Sequence, residues 1–97
     1  MTYHEEIHGM ESLGRIMRAA REARGWSQAR AGARIGVHPI VLGSYERADR
    51  NPPVDRVVDV LSAYGLTLVV ADAVAVDAAR RARIEALRAE LAQLEAS

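Results

Sequence analysis

The fold is decided by residues 25–65, which read GWSQARAGARIGVHPIVLGSYERADRNPPVDRVVDVLSAYG. Ser27 offers a hydroxyl that caps helices well, and the alanine-rich run after it predicts a short helix that ends at Gly36. Pro39 follows almost at once and is well tolerated in the first turn of a helix, so a further helix is expected from Pro39 to Arg47. The sequence therefore predicts two short helices joined by a tight turn, the arrangement of a helix-turn-helix.

Two more helices are expected around this pair. An amphipathic helix is predicted over residues 10–24, and another between Pro53 and Gly65. Their expected buried side chains are Leu13, Ile16, Met17, Ala20, Val54, Val57, Val58 and Leu61. Residues 1–9 are polar without a sustained period, so we expect a mobile arm there. The helical domain is accordingly placed at residues 10–65.

The remaining residues, 66–97, are predicted to join two subunits. Residues 66–71, LTLVVA, are rich in β-branched side chains, which favours a short β-strand. A lone strand in an otherwise helical chain lacks a partner, so we expect it to pair with its own copy in a second subunit. Leu66, Leu68 and Val70 are the candidate residues of that contact.

A last helix is predicted over residues 77–95, with Asp77 as its N-cap. Its apolar side chains follow the spacing of a short heptad seam, and they are Ile84, Leu87, Leu91 and Leu94. So short a seam leaves two alternatives, a helix pair between subunits or a helix packed on its own domain. The expected fold class is mainly α, with five helices and one short strand.

Composition excludes several classes of protein. The 97 residues suffice for one domain, and the low aromatic content of 4% predicts a thin core that gains stability by association. The chain has no cysteine, which excludes disulfides and thiol chemistry. No apolar run approaches the length of a membrane span, and the first residues lack the pattern of a signal peptide, so a cytoplasmic protein without membrane contact is expected.

The net charge is zero, which by itself argues against a nucleic-acid partner. The distribution of charge argues the opposite. Residues 10–53 hold eight arginines against four acidic residues, a surplus of four positive charges, while the remaining segments are acidic or near neutral. Such a basic block is typical of a DNA-binding domain.

Residues 10–65 resemble the Cro and repressor type of helix-turn-helix, the XRE family. The features that carry the resemblance are Ser27-Gln28 opening the second helix, Gly36-Val37 in the turn, and Tyr45-Glu46-Arg47 closing the third helix. The string VLGSYERADR is similar to the DNA-binding domain of BldD-type regulators, and YGLTLVVADA resembles the dimerising strand of HipB-type antitoxin regulators. The family's usual glycine after Glu-Arg is Ala48 here, which leaves open whether a left-handed helix cap forms.

The resemblance implies that the third helix enters the major groove of double-stranded DNA. The residues that it places at the bases are His38, Pro39, Ile40, Gly43 and Ser44. The Ser44 hydroxyl is the best single candidate for a base contact, since Ile40 offers only apolar contact and Gly43 has no side chain. Gly43 is explained either by a close approach of DNA or by packing. Specificity is then expected from thymine methyl contacts, water bridges and DNA shape.

The resemblance also implies roles for residues around that helix. Gln28 lies where the family holds a phosphate at the start of the second helix. The other groups implied to contact phosphates are Arg18, Arg47, Arg50 and Asn51. Arg21 and Glu46 are implied to form an ion pair that joins the first helix to the third, a structural role.

The sequence thus predicts a sequence-specific transcriptional regulator, a repressor that binds a palindromic operator as a homodimer, with no enzymatic activity and no cofactor. Its two third helices would lie about 34 Å apart. The alternative is an antitoxin that binds a toxin partner and represses its own operon through the same domain. Residues 4–8, HEEIH, match the H-E-x-x-H pattern of zinc hydrolases, but a polar arm without a third ligand does not provide the required context, so no metal site is expected.

Overall fold

The computed structural model describes residues 5–96, and within this range it contains five α-helices and no β-strand. The helices are α1 (Met10–Ala23), α2 (Gln28–Ile35), α3 (Pro39–Glu46), α4 (Val54–Ala63) and α5 (Ala73–Ala96). The mainly α class and the tight turn between α2 and α3 are confirmed. Of the predicted arm, residues 1–4 lie outside the described range, and residues 5–9 precede α1 without regular structure.

The two central helices begin at local caps. The Ser27 hydroxyl accepts a hydrogen bond from the Arg30 backbone N–H at 3.0 Å, as expected for the residue that precedes α2. At the start of α3 the His38 ring takes the same role, because its Nδ1 accepts from the Ile40 N–H at 3.1 Å. Pro39 follows in the first turn, where its missing N–H costs nothing.

Side chains from α1 to α4 and from the turns between them form one core. The buried apolar residues are Leu13, Ile16, Met17, Ala31, Val37, Leu42, Tyr45, Val57, Val60, Leu61 and Tyr64. The expected burial of Val54 and Val58 is wrong, since α4 is rotated so that Val60 and Tyr64 face the core instead. At Gly14 the backbone of α1 comes so close to α3 that a Cβ would lie 2.6 Å from the Glu46 carbonyl oxygen.

The C-terminus of α3 forms a left-handed cap without glycine. Ala48 has φ of 60°, its N–H donates to the Tyr45 carbonyl at 3.1 Å, and the Asp49 N–H donates to the Ser44 carbonyl at 2.8 Å. These two bonds define a Schellman motif. Helices α1 and α4 end in the same motif with Gly25 and Gly65 in the left-handed position, at φ of 68° and 75°. The cap therefore forms with alanine as it does with glycine.

The predicted strand over residues 66–71 is absent from the described chain. Residues 67–71 have no regular secondary structure, and their backbone makes no hydrogen bond with other residues of the range 5–96. The physical reason is that a strand needs a neighbour to pair with, and the described residues supply none. Val70 is almost fully exposed.

Helix α5 begins four residues earlier than predicted. The N-cap is Asp72 and not Asp77, because Asp72 Oδ1 accepts from the backbone N–H groups of Val74 at 2.9 Å and Ala75 at 3.2 Å. The helix has no buried residue among those described. It is therefore not packed on its own domain, which was one of the two alternatives.

Candidate nucleic-acid interface

One face of α3 is exposed and the opposite face holds it in the domain. Leu42, Tyr45 and Glu46 are buried. The exposed face carries Ile40, whose surface is 70% accessible, and Arg47, which directly follows the helix; Gly43 lies between them at helical spacing and is itself buried. We call Ile40, Gly43 and Arg47 the α3 stripe. This is the surface of the helix-turn-helix that a DNA groove would meet first.

Ser44 does not belong to the α3 stripe. It is only 6% exposed, and its hydroxyl donates to the Val41 carbonyl at 2.6 Å within the same helix. The hydroxyl expected to contact a base is therefore nearly buried and donates its hydrogen within the domain. Its burial follows from the register of α3, which turns position 44 toward the side that carries Tyr45.

The Gln28 side chain lies across Gly43. A Cβ placed on Gly43 would lie 3.1 Å from both Gln28 Oε1 and Gln28 Nε2, and 3.2 Å from an Arg47 guanidinium nitrogen. These distances are tighter than ordinary contacts, so an alanine here would shift the carboxamide by a few tenths of an ångström. Between the two explanations left open for Gly43, packing of another side chain accounts for it within the domain.

Glu46 connects this surface to the interior. Its carboxylate accepts two hydrogen bonds from Arg21, from Nε at 2.7 Å and from Nη2 at 2.9 Å, and a weaker one from Gln28 Nε2 at 3.3 Å. Arg21 also donates to the Trp26 carbonyl at 2.7 Å. The hydrogen bond to Glu46 raises the pKa of Arg21 against the opposing effect of burial. The ion pair implied by the family resemblance is present, and both partners are buried.

The cations around α3 are exposed. Arg18 pairs with Glu22 at 2.9 Å, and this hydrogen bond lowers the pKa of the Glu22 carboxyl. Arg47 pairs with Asp49 at 3.0 Å. Solvated pairs of this kind contribute little to stability, so a phosphate can replace either carboxylate at small cost. Arg50 and Asn51 are exposed in the loop after α3.

Some arginines of the basic block lie over aromatic rings as cation–π contacts, which was not predicted from the sequence. The Arg34 guanidinium lies 4.6 Å from the centre of the Trp26 ring, and Arg30 lies 6.0 Å from it. Arg24 lies 5.8 Å from the centre of the Tyr64 ring. The signal was available, because Trp26, Arg30 and Arg34 are spaced four residues apart around the first turns of α2.

The described residues offer no group of three or more side chains able to hold a metal ion. Of the HEEIH segment, His4 lies outside the described range, and His8 Nε2 lies 3.2 Å from a Glu6 carboxylate oxygen. No helix in the described part of the chain combines the length and the apolar character that crossing a membrane requires.

These features define a helix-turn-helix DNA-binding domain, and the comparison with protein families agrees. The family model described as helix-turn-helix matches residues 17–70, more than half of the chain. This chain therefore belongs to the helix-turn-helix family, of the XRE type expected from its sequence, and is a DNA-binding regulator. A comparison with curated proteins gives no match.

Solved structures of HipB share the fold. A HipB variant in an O2 20mer complex has a TM-score of 0.65 and 22% sequence identity, covering 73% of this chain and 99% of the HipB chain. A chain from a HipA-HipB-O2-O3 complex has a TM-score of 0.64 and 20% identity, covering 72% of this chain and 99% of its own. A chain described as MDT protein has a TM-score of 0.64 and 21% identity, covering 72% and 99%. The resemblance to HipB-type regulators is confirmed in the fold.

Proposed function

We propose that this protein is a cytoplasmic, non-enzymatic repressor that binds a palindromic operator as a homodimer. The observation that carries the proposal is that Ile40 and Arg47 of the α3 stripe are exposed, with Arg18 and Arg50 exposed around them. A helix of this size with an exposed face fits the major groove, and surrounding arginines neutralise phosphates there.

Base contacts are assigned to the first half of α3. Ile40 supplies an exposed apolar side chain for a thymine methyl group, and His38 and Pro39 lie beside it at the start of the helix. Phosphate contacts are assigned to Arg18, Arg47, Arg50 and Asn51. Because apolar contacts discriminate weakly, part of the specificity comes from DNA shape.

Dimerisation is assigned to residues 66–97. Leu68 and Val70 are exposed in a segment whose backbone makes no hydrogen bond within residues 5–96, and a second copy of the same segment would pair with it and cover it. Leu66, which is half-buried, leads into this segment. In α5 the exposed seam residues are Ile84, Leu87, Leu91 and Leu94. Pairing with the same seam of a second subunit would bury these four side chains, which explains why they lie outside the core of their own domain.

The test is a selection from random double-stranded DNA with the full chain, followed by titration of the enriched site over a salt series. We expect one palindromic site whose half-sites are about one helical turn apart, and an affinity that falls steeply with salt. Enrichment of no sequence, or of a site without symmetry, would contradict the proposal.

A second candidate is an antitoxin that uses the same domain on its own operon. The observation that favours it is the exposed apolar face of α5, together with similarity to a HipB chain in a complex with HipA. Sedimentation of the protein alone separates the two candidates. A dimer that Leu91→Glu dissociates assigns the face to a second copy. A dimer that this substitution leaves intact leaves the face for a protein partner such as a toxin.

A further inference from the structure

The middle of the α3 stripe carries a polar group that belongs to another helix. Position 43 is glycine, and the Gln28 carboxamide lies over it, with Oε1 and Nε2 both 3.1 Å from where a Cβ would stand. Ile40 lies one turn before this position and Arg47 one turn after it. The side chain presented between Ile40 and Arg47 is therefore that of Gln28, the first residue of α2.

The carboxamide is held in one orientation. Glu46 is a carboxylate paired with Arg21 through two hydrogen bonds, so it only accepts, and it lies 3.3 Å from Gln28 Nε2. A flipped amide would bring two acceptor oxygens together. The second N–H of Nε2 and the whole of Oε1 make no further hydrogen bond among residues 5–96, and an Arg47 guanidinium nitrogen lies over the same glycine.

A planar group with one donor beside one acceptor matches a single base edge in the major groove. Adenine presents N7 as an acceptor and its N6 amino group as a donor, and a glutamine carboxamide pairs with both. The described side chains on the α3 stripe itself cannot do this, since Ile40 is apolar, Gly43 has no side chain, and arginine only donates.

We propose that Gln28 reads an adenine in each half-site, with Gly43 as the platform beneath its carboxamide and Glu46 as a positioning residue. The inference rests on the proposed function and departs from the phosphate contact that the family resemblance implied for Gln28. A phosphate contact is the same for every sequence, whereas a base contact appears as a preference at one position of the operator.

The test uses the full chain and the operator recovered by selection, with each base pair of one half-site replaced in turn. For the wild type, replacing one A·T pair should weaken binding about tenfold or more, the effect of losing a bidentate contact. Gln28→Ala should abolish that preference and leave the other positions unchanged. Gly43→Ala should weaken that preference, because its methyl group shifts the carboxamide, and it should have no such effect when Gln28 is already alanine.

Arg50→Ala is the matched control, since an exposed phosphate contact should weaken binding to all sequences by a similar factor. The preference is a ratio of affinities measured on one preparation, so partial unfolding of a variant does not alter it. If Gln28→Ala weakens all sequences alike and keeps the preference, Gln28 holds a phosphate and the inference is wrong. If the wild type enriches no site at all, the proposed function fails first, which is a different result.

Discussion

The alanine in the left-handed cap of α3 predicts a stabilising substitution. A non-glycine residue at φ of 60° costs about 1 to 2 kcal/mol relative to the right-handed region. Ala48→Gly removes this cost, while the greater freedom of glycine in the unfolded chain offsets about 0.4 to 1 kcal/mol of the gain. Loss of the half-buried methyl group offsets a few tenths more, by an estimate from roughly 0.8 kcal/mol per buried methylene. We expect Ala48→Gly to stabilise the fold by about 0.5 kcal/mol.

The chain supplies its own matched control at the end of α1. Gly25 occupies the same position of the same motif at φ of 68°, and a Cβ there would meet no atom within 4 Å. Gly25→Ala therefore introduces the backbone cost with no clash, and it should destabilise the protein by about 1 kcal/mol. Gly65 is a poorer control, because a Cβ there would lie 3.4 Å from an Arg24 guanidinium nitrogen.

The assay is urea denaturation followed by circular dichroism, at one protein concentration because association adds to apparent stability. The two variants should differ by about 1.5 kcal/mol in the free energy of unfolding, with Ala48→Gly above the wild type and Gly25→Ala below it. The slope of free energy against urea should stay the same in all three proteins. If Ala48→Gly is destabilised as much as Gly25→Ala, the left-handed cost at position 48 does not exist and the reasoning is refuted.

Three further predictions concern the core and the C-terminal region. The Tyr64 hydroxyl is buried without a hydrogen-bond partner among residues 5–96, and burial raises its pKa from 10.0 to about 12. The unfolded tyrosine therefore ionises first, so stability should fall by about 2 kcal/mol as pH rises from 10 to 12, and Tyr64→Phe should lack this fall in denaturation at several pH values. Glu46→Leu alone should cost about 3 to 5 kcal/mol because it leaves Arg21 buried without its partner, and adding Arg21→Met should restore most of that loss in the same urea assay. Leu87→Glu with Leu91→Glu should give monomers in sedimentation without changing the unfolding of α1 to α4, and a persistent dimer would remove α5 from the dimer contact.

The helices of the domain could be predicted because their boundaries are local. Each boundary depends on one local residue, and the structure shows all three as predicted: Ser27 caps the start of α2, Gly36 ends it, and Pro39 lies in the first turn of α3. The start of α5 could not be predicted in the same way. The valines before and after Asp72 favour an extended chain as much as a helix, and only the capping bonds from Asp72 decide where the helix begins.

The face that a helix turns to the core was predictable only in part. For α4 two patterns share Val57 and Leu61, one continuing through Val54 and Val58 and the other through Val60 and Tyr64. Both fit helical spacing, and the choice depends on the position of α2, which no local signal gives. The burial of Ser44 in α3 has the same origin, because in a helix of 8 residues a small rotation moves a residue between surface and interior.

The contact of Gln28 with Gly43 lay beyond sequence reasoning because it depends on how two helices cross. Read alone, Gly43 is a weak point in a helix, and Gln28 is a polar residue near a helix start. Placed together by the fold, they form one surface, and Glu46 ties that surface to the buried guanidinium of Arg21. The ion pair that joins α1 to α3 therefore also orients the carboxamide at the groove. A variant that restores stability without this carboxylate, such as Arg21→Met with Glu46→Leu, should fold and still lose discrimination at the adenine position, because the amide is then free to flip.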